Sequence, residues 1–311
     1  MKNNIFKQIF SVDWKSSNRI IIHIFGIKIR FLKPSIKNKY VKYSCPANEI
    51  PPATGILRKI QLASLKMMLI FDKLCKENGY EYWLDFGNLL GAVRHGGFIP
   101  WDDDADLGMP RKDYEDFFQK YKDGIPGYDD IYIDFDNNGK NRCFIKIKHK
   151  KLINIAVDLF PYDFYYKNIS TEEQIQLTKK LKRERDKFIY SLLIPFFKCR
   201  PDAMRERFFK IRDKFILSKS ISKEDKLPLF YGLDYPHYNP NYFFDYDKIF
   251  PLKSVKYEGY DFSCPNDEIF VLKQLFNDYM AVPDNCYPRH ANTESFDEKL
   301  LDDFIKDMNN I

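Results

Sequence analysis

"GAVRHGGFIPWDDDADLGM", residues 91–109, sets Asp102, Asp103, Asp104 and Asp106 directly behind the apolar Phe98, Ile99 and Trp101. Charge clusters that merely face water sit among polar neighbours, and these flanks are not polar. If residues 102–108 are a strand, alternate side chains share a face, so Asp102, Asp104 and Asp106 line one side while Asp103, Ala105 and Leu107 take the other. Like charges that close repel and raise one another's pKa unless a cation sits among them, and oxygen ligands suit a hard divalent ion. The stretch is therefore read as a core strand that carries a Mg2+ or Mn2+ site. Short acidic motifs also arise by chance, so the neighbouring segments decide.

Downstream, "INIAVDLFPYD" (153–163) puts Ile153, Ile155, Val157 and Leu159 on one face and Asn154, Ala156 and Asp158 on the other. Asp158 is an isolated charge in an apolar strand, and an unpaired buried carboxylate costs several kcal/mol. It is expected to be a third metal ligand; the other reading is a salt bridge to Lys146 or Lys148 of the preceding strand candidate, "CFIKIKHK". Upstream, "LDFGNLLGAVRHG" (84–96) reads as a strand ending at Gly87 and a short helix over 88–94. At Gly87 and Asn88 the bare backbone and first helical N–H groups suit a phosphate. Arg94 suits bidentate phosphate contact, and His95 suits a proton or hydrogen-bond donor or, alternatively, an ordinary structural hydrogen bond. Lys146 joins Gly87, Asn88, Arg94 and His95 in the expected phosphate- or nucleotide-binding set.

Leu62, Leu65 and Leu69 mark a helix from Thr54 to Asn78, and Pro110 opens another over about 112–122. "DIYIDF", "CFIKIKHK" and "INIAVDLF" are further strands, so the class is α+β: a mixed sheet with flanking helices. Residues 1–36 read as a β-hairpin, either an edge hairpin or a basic, apolar skirt making peripheral contact with an anionic membrane. Residues 37–53 look like a linker, 171–217 are helical and strongly basic, and the part after about Tyr231 shows few periodicities. The organisation expected is a leader and linker over 1–45 and one domain over 46–311, with a core at about 55–165, a basic helical insertion at about 166–235 and a C-terminal part at about 236–311.

The 311 residues, 44% hydrophobic and 17% aromatic, exclude a disordered chain, and the formal charge of +6 suits anionic partners without demanding nucleic acid. Six scattered cysteines show no zinc spacing and read as reduced thiols. No signal peptide or run of about 18 apolar residues is evident, so a cytoplasmic location is expected.

The block "YWLDFGNLLGAVRHGGFIPWDDDADLGMPRKDYEDF" (82–117), with "AVDLFPYDF", "IFPLKSVKYEGYDFSCPND" and "LKQLFNDYMAVPDNCYPRH", resembles the LicD family, which includes the fukutin-related enzymes. The resemblance implies a nucleotidyltransferase-like fold and transfer of a substituted phosphate, typically phosphocholine from CDP-choline, to a hydroxyl of a bacterial cell-surface glycan or glycolipid with release of CMP. It implies Asp104 and Asp106 as the metal pair, Asp102 as the acid before it, Asp158 as the third carboxylate, and Gly87 and Asn88 as the phosphate turn. Asn88 stands where a Ser or Thr is expected. The general base would be Asp102 or Asp158. Tyr82, Trp83, Trp101 and Tyr162 are either core or a box for a quaternary ammonium. An Asp-x-Asp glycosyltransferase using a nucleotide-sugar and a non-catalytic glycan- or membrane-binding protein are the competing functions.

Overall fold

The computed structural model describes strand residues 10–13, 19–24 and 27–32, then 46–135, 144–153, 155–164, 226–232, 243–283 and 296–306, with isolated positions elsewhere. Two compact units are present: residues 1–44 with 283–287, and residues 45–282 with 288–311. The first holds β1 (Phe10–Asp13), β2 (Arg19–Ile24) and β3 (Ile27–Leu32) in one antiparallel sheet. The expected hairpin is thus a three-stranded meander. The long second run folds back on itself with Ile24 opposite Ile27.

In the second unit α1 (Gly55–Asn78) leads through β4 (Trp83–Leu84) to α2 (Phe86–His95), β5 (Ala105–Pro110) and α3 (Arg111–Tyr121). Then come β6 (Ile131–Phe135), β7 (Ile145–His149), β8 (Ala156–Phe164), β9 (Leu229–Tyr231) and β10 (Phe243–Phe244). After the single turn α4 (Tyr246–Ile249), β11 (Lys253–Tyr257) and β12 (Tyr260–Cys264) form a hairpin, followed by α5 (Glu268–Phe276) and α6 (Glu298–Ile305). The basic helical region expected near 166–235 lies mostly outside the described residues, as do the leader's side chains.

The fold is α+β, and its sheet is mixed. β8 is the hub: β5 pairs with it in parallel, while β7 and β9 pair antiparallel with successive stretches of it. β4 extends the sheet beyond β5, and β6 beyond β7. Strand alternation gives the sheet two unlike faces. One carries Ala105, Leu107, Ile145, Ile147, Val157 and Leu159, all buried in the core with the apolar side of α1. The other carries a row in register across four strands: Asp106 on β5, Asp158 on β8, Lys146 on β7 and Asp134 on β6.

Cys75 and Cys264 are free and buried, in line with reduced thiols. Among the described residues no helix is long and apolar enough to cross a membrane.

Candidate active site

The strand that carries Asp106 begins at Ala105, three residues later than the alternation argument assumed. Asp102, Asp103 and Asp104 therefore gather in the connection before it, where a turn closes with the Asp102 N–H donating to the Ile99 carbonyl at 2.9 Å. Gln61 of α1 fixes that connection, its Nε2 donating to the carbonyls of Ile99 (3.1 Å) and Asp102 (2.9 Å). One carboxylate oxygen from each of Asp102, Asp103 and Asp104 falls within 4.8 Å of the others.

Asp106 is held by its backbone from the start of α2. The side-chain oxygen of Asn88 accepts from the Asp106 N–H at 2.6 Å, and the Asp106 carbonyl accepts from the Asp85 N–H at 3.0 Å. Asn88 is buried and also donates to the Tyr257 hydroxyl at 2.7 Å. Its contacts here brace the strand, since an amide in this position satisfies a strand N–H and a phenol at once. Gly87 leaves room for Asp102: a Cβ there would lie 2.6 Å from an oxygen of that carboxylate, which now lies against the first turn of α2.

Burial is the main force on these acids, and mutual repulsion adds to it. The Asp102 carboxyl is raised well above the ordinary range by burial, then by Asp104. Asp106 is likewise raised by burial, then by Asp104, Asp158, Asp102 and Asp85, which places all five in one electrostatic cluster. Asp85, the N-cap of α2, is pushed up to about 7 by burial although it accepts hydrogen bonds from Tyr162 (2.7 Å) and the Phe86 N–H (2.9 Å). An all-oxygen donor set in which neighbouring carboxylates raise Asp102 and Asp106 fits a hard divalent cation, which would remove that repulsion.

Asp158 lies directly across from Asp106 and from Lys146, and the Lys146 ammonium donates to both of its carboxylate oxygens. The structure thus sets Asp158 beside Asp106 and Lys146 and sets Asp102 against Gly87, while the described acidic group whose oxygens all lie within 4.8 Å of one another is Asp102, Asp103 and Asp104, without Asp106 or Asp158. Arg94 and His95 end α2, about 10 Å along the helix from Gly87 at 1.5 Å per residue. Arg94 is buried, and its guanidinium donates to the Tyr279 and Ala281 carbonyls and, through Nε, to His95 Nε2 at 2.9 Å. Burial and the Arg94 charge push His95 down to about 4, so near neutral pH it is an acceptor. Trp101 packs edge-on against His95. Tyr82, Trp83 and Tyr162 are fully buried core, which leaves half-buried Trp101 as the aromatic of that group open to a ligand.

Sequence reasoning missed Asp85, Gln61 and the β11–β12 turn. An aspartate just before a helix is a standard N-cap signal, so Asp85 was readable in "LDFGN". Glu258 in that turn was not. It accepts from the Phe98 N–H at 2.9 Å and bidentately from Arg58 of α1, while its own N–H donates to the Gly96 carbonyl. Its carboxylate fills the space a side chain at Gly97 would need. The hairpin therefore clamps the near end of the aspartate loop.

The site combines a charged sheet face with the Asp85-capped start of α2. The comparisons are more specific. Residues 79–204 match the family described as LicD/FKTN/FKRP, nucleotidyltransferase domain. The lipopolysaccharide cholinephosphotransferase LicD of Haemophilus influenzae is 27% identical over 249 residues, covering 73% of this chain and 92% of that protein. An uncharacterized protein of Rickettsia typhi is 35% identical over 122 residues, 36% of this chain and 38% of its own length. The human ribitol 5-phosphate transferase FKRP is 60% identical over 35 residues, 11% of this chain and 7% of FKRP. The chain thus spans well under half of the Rickettsia relative and a small part of FKRP.

Proposed function

We propose that this chain is a metal-dependent phosphotransferase that moves a substituted phosphate from a CDP-linked donor to a hydroxyl of a bacterial cell-surface glycan, releasing CMP. The observation that carries the reading is the register of Asp106 with Asp158 on parallel strands, with Asp102 and Asp104 in the same half-buried electrostatic cluster. The names of two relatives, a cholinephosphotransferase and a ribitol 5-phosphate transferase, support phosphate transfer over sugar transfer.

In this reading Asp104, Asp106 and Asp158 hold Mg2+ or Mn2+, which supplies charge neutralisation at the donor's pyrophosphate. The acceptor oxygen forms a bond to the donor's distal phosphorus as the bond to the CMP oxygen breaks, and the hydroxyl proton passes to a carboxylate. Asp102 is better suited to take it than Asp158, because this reading assigns Asp158 to the cation and leaves Asp102 outside the ligand set. Asn88 and Asp85 keep Asp106 in place during the step by fixing its N–H and carbonyl.

A panel of CDP-choline, CDP-ethanolamine, CDP-glycerol and CDP-ribitol, each incubated with Mg2+ and a glycan acceptor, tests this by the nucleotide released. CMP from at least one donor, abolished by chelation, is the expected result. Turnover of a nucleotide-sugar with release of a nucleoside diphosphate would favour the Asp-x-Asp glycosyltransferase reading instead.

A further inference from the structure

The β11–β12 hairpin turns through Glu258 and Gly259, with Tyr257 opposite Tyr260 and φ of 52° and 86° at the two turn residues. Two-residue turns with both positions left-handed favour Asn-Gly or Asp-Gly. Glu258 therefore brings the turn itself no advantage, and a non-glycine residue held in that region directs attention to its side chain. The carboxylate accepts from the Phe98 N–H at 2.9 Å and bidentately from Arg58, and the Glu258 N–H donates to the Gly96 carbonyl at 2.9 Å.

The neighbouring residue reaches the other end of the acidic segment. Tyr257 is fully buried and accepts from Asn88 Nδ2 at 2.7 Å, and the Asn88 oxygen in turn accepts from the Asp106 N–H at 2.6 Å. Adjacent residues of one hairpin thus hold Phe98 directly and Asp106 through a single amide. Between these anchors lie Asp102, Asp103 and Asp104, ahead of the first strand residue, Ala105. The charges of Asp102 and Asp104 oppose that of Asp106, a force that drives loop and strand apart unless both are restrained from outside. Gln61 holds the loop side of this gap. The hairpin spans it.

We propose that the β11–β12 turn is a positioning element of the acidic site, in which Glu258 and Tyr257 together set the separation of Asp102 and Asp104 from Asp106. This rests on the metal-dependent reading given above, and it makes the spacing of the ligands depend on a hairpin that supplies none of them. Groups that orient metal ligands in this way commonly change affinity tenfold or more when removed.

Glu258→Asn separates positioning from folding, because Asn-Gly suits the turn better than Glu-Gly while the shorter side chain cannot span to both Arg58 and Phe98. Arg58, whose side chain is 26% exposed, can then turn to solvent. Tyr257→Phe is nearly isosteric and keeps the test valid should Glu258→Asn fail to fold. Lys256→Met, which breaks the exposed pair with Asp261 on the same hairpin, is the control. Each is measured for Mn2+ affinity by electron paramagnetic resonance, for stability by urea unfolding and for amide hydrogen exchange. Glu258→Asn and Tyr257→Phe should stay folded and bind Mn2+ about tenfold more weakly than wild type. The Asp102 amide should exchange about tenfold faster in the first, and the Asp106 amide about tenfold faster in the second. Lys256→Met should lie within about twofold of wild type throughout. A folded Glu258→Asn or Tyr257→Phe with wild-type Mn2+ affinity, or an equal loss in Lys256→Met, overturns the positioning and leaves the metal reading standing. Absence of Mn2+ uptake by wild type overturns both.

Discussion

Asp106→Asn is expected to reduce transfer by about a thousandfold or more, while the metal-free variant melts at the wild-type temperature or above it. The two halves of this result have one cause. Asp106 is half-buried beside Asp104, Asp158, Asp102 and Asp85, and its carboxyl is raised by desolvation first and by those charges next. An isosteric amide removes the repulsion and the ligand together. Such a carboxyl, with a folded pKa above its unfolded value, stabilises the fold fully only below the unfolded pKa, and the contribution is lost as pH rises through the folded pKa. For Asp85 that window runs from the ordinary 3.8 to about 7, and Asp102 and Asp106 act in the same sense. Metal-free wild type should therefore lose stability across this range, and Asp106→Asn should lose less. Thermal melts at several pH values with chelator, set beside CMP release with Mg2+, check both halves. Near-wild-type transfer, or a metal-free melt well below wild type, would take Asp106 out of the metal site.

The largest loss of stability is expected at Arg111. This side chain opens α3 on the apolar side of the sheet and binds Asp163 bidentately, Nε to Oδ1 at 2.8 Å and an Nη to Oδ2 at 2.9 Å, with side-chain exposures of 2% and 0%. Removing one partner of such a pair leaves a buried charge without its counter-ion, at a cost of about 3–5 kcal/mol. Asp163→Ala and Arg111→Met should each fall in that range by urea unfolding. The double variant Arg111→Met with Asp163→Leu should recover most of the loss, because replacing both charges with apolar groups of similar volume is often close to neutral. A single-variant loss below about 1 kcal/mol would mean that water reaches the pair.

Much of the fold was legible because its strands and helices carry strong local patterns. "INIAVDLF" alternates cleanly, and its odd charge, Asp158, does lie on the charged face, in register with Asp106. What local pattern could not supply was where the aspartates before the strand would go. Asp102, Asp103 and Asp104 are gathered by a turn that Gln61 holds from α1, and periodicity says nothing about such a contact. Asn88 shows the same limit. Its position after Gly87 suggests a phosphate turn, yet its contacts are set by Tyr257, which lies far along the chain. Glu258 is the extreme case, since its partners Arg58 and Phe98 are each more than a hundred residues away. The choice between metal ligand and salt bridge at Asp158 was open because both readings use the same half-buried carboxylate, and Lys146 does bind it.

We propose that the carboxylates of Asp104, Asp106 and Asp158 together hold a divalent cation. Crystals grown with Mn2+ and measured on both sides of the manganese absorption edge would test it most directly. An anomalous peak within coordination distance of oxygens from all three residues, lost in Asp106→Asn crystals grown the same way, is the predicted result. A peak bound by Asp102, Asp103 and Asp104 without Asp106 or Asp158, or no peak at saturating Mn2+, would contradict the account.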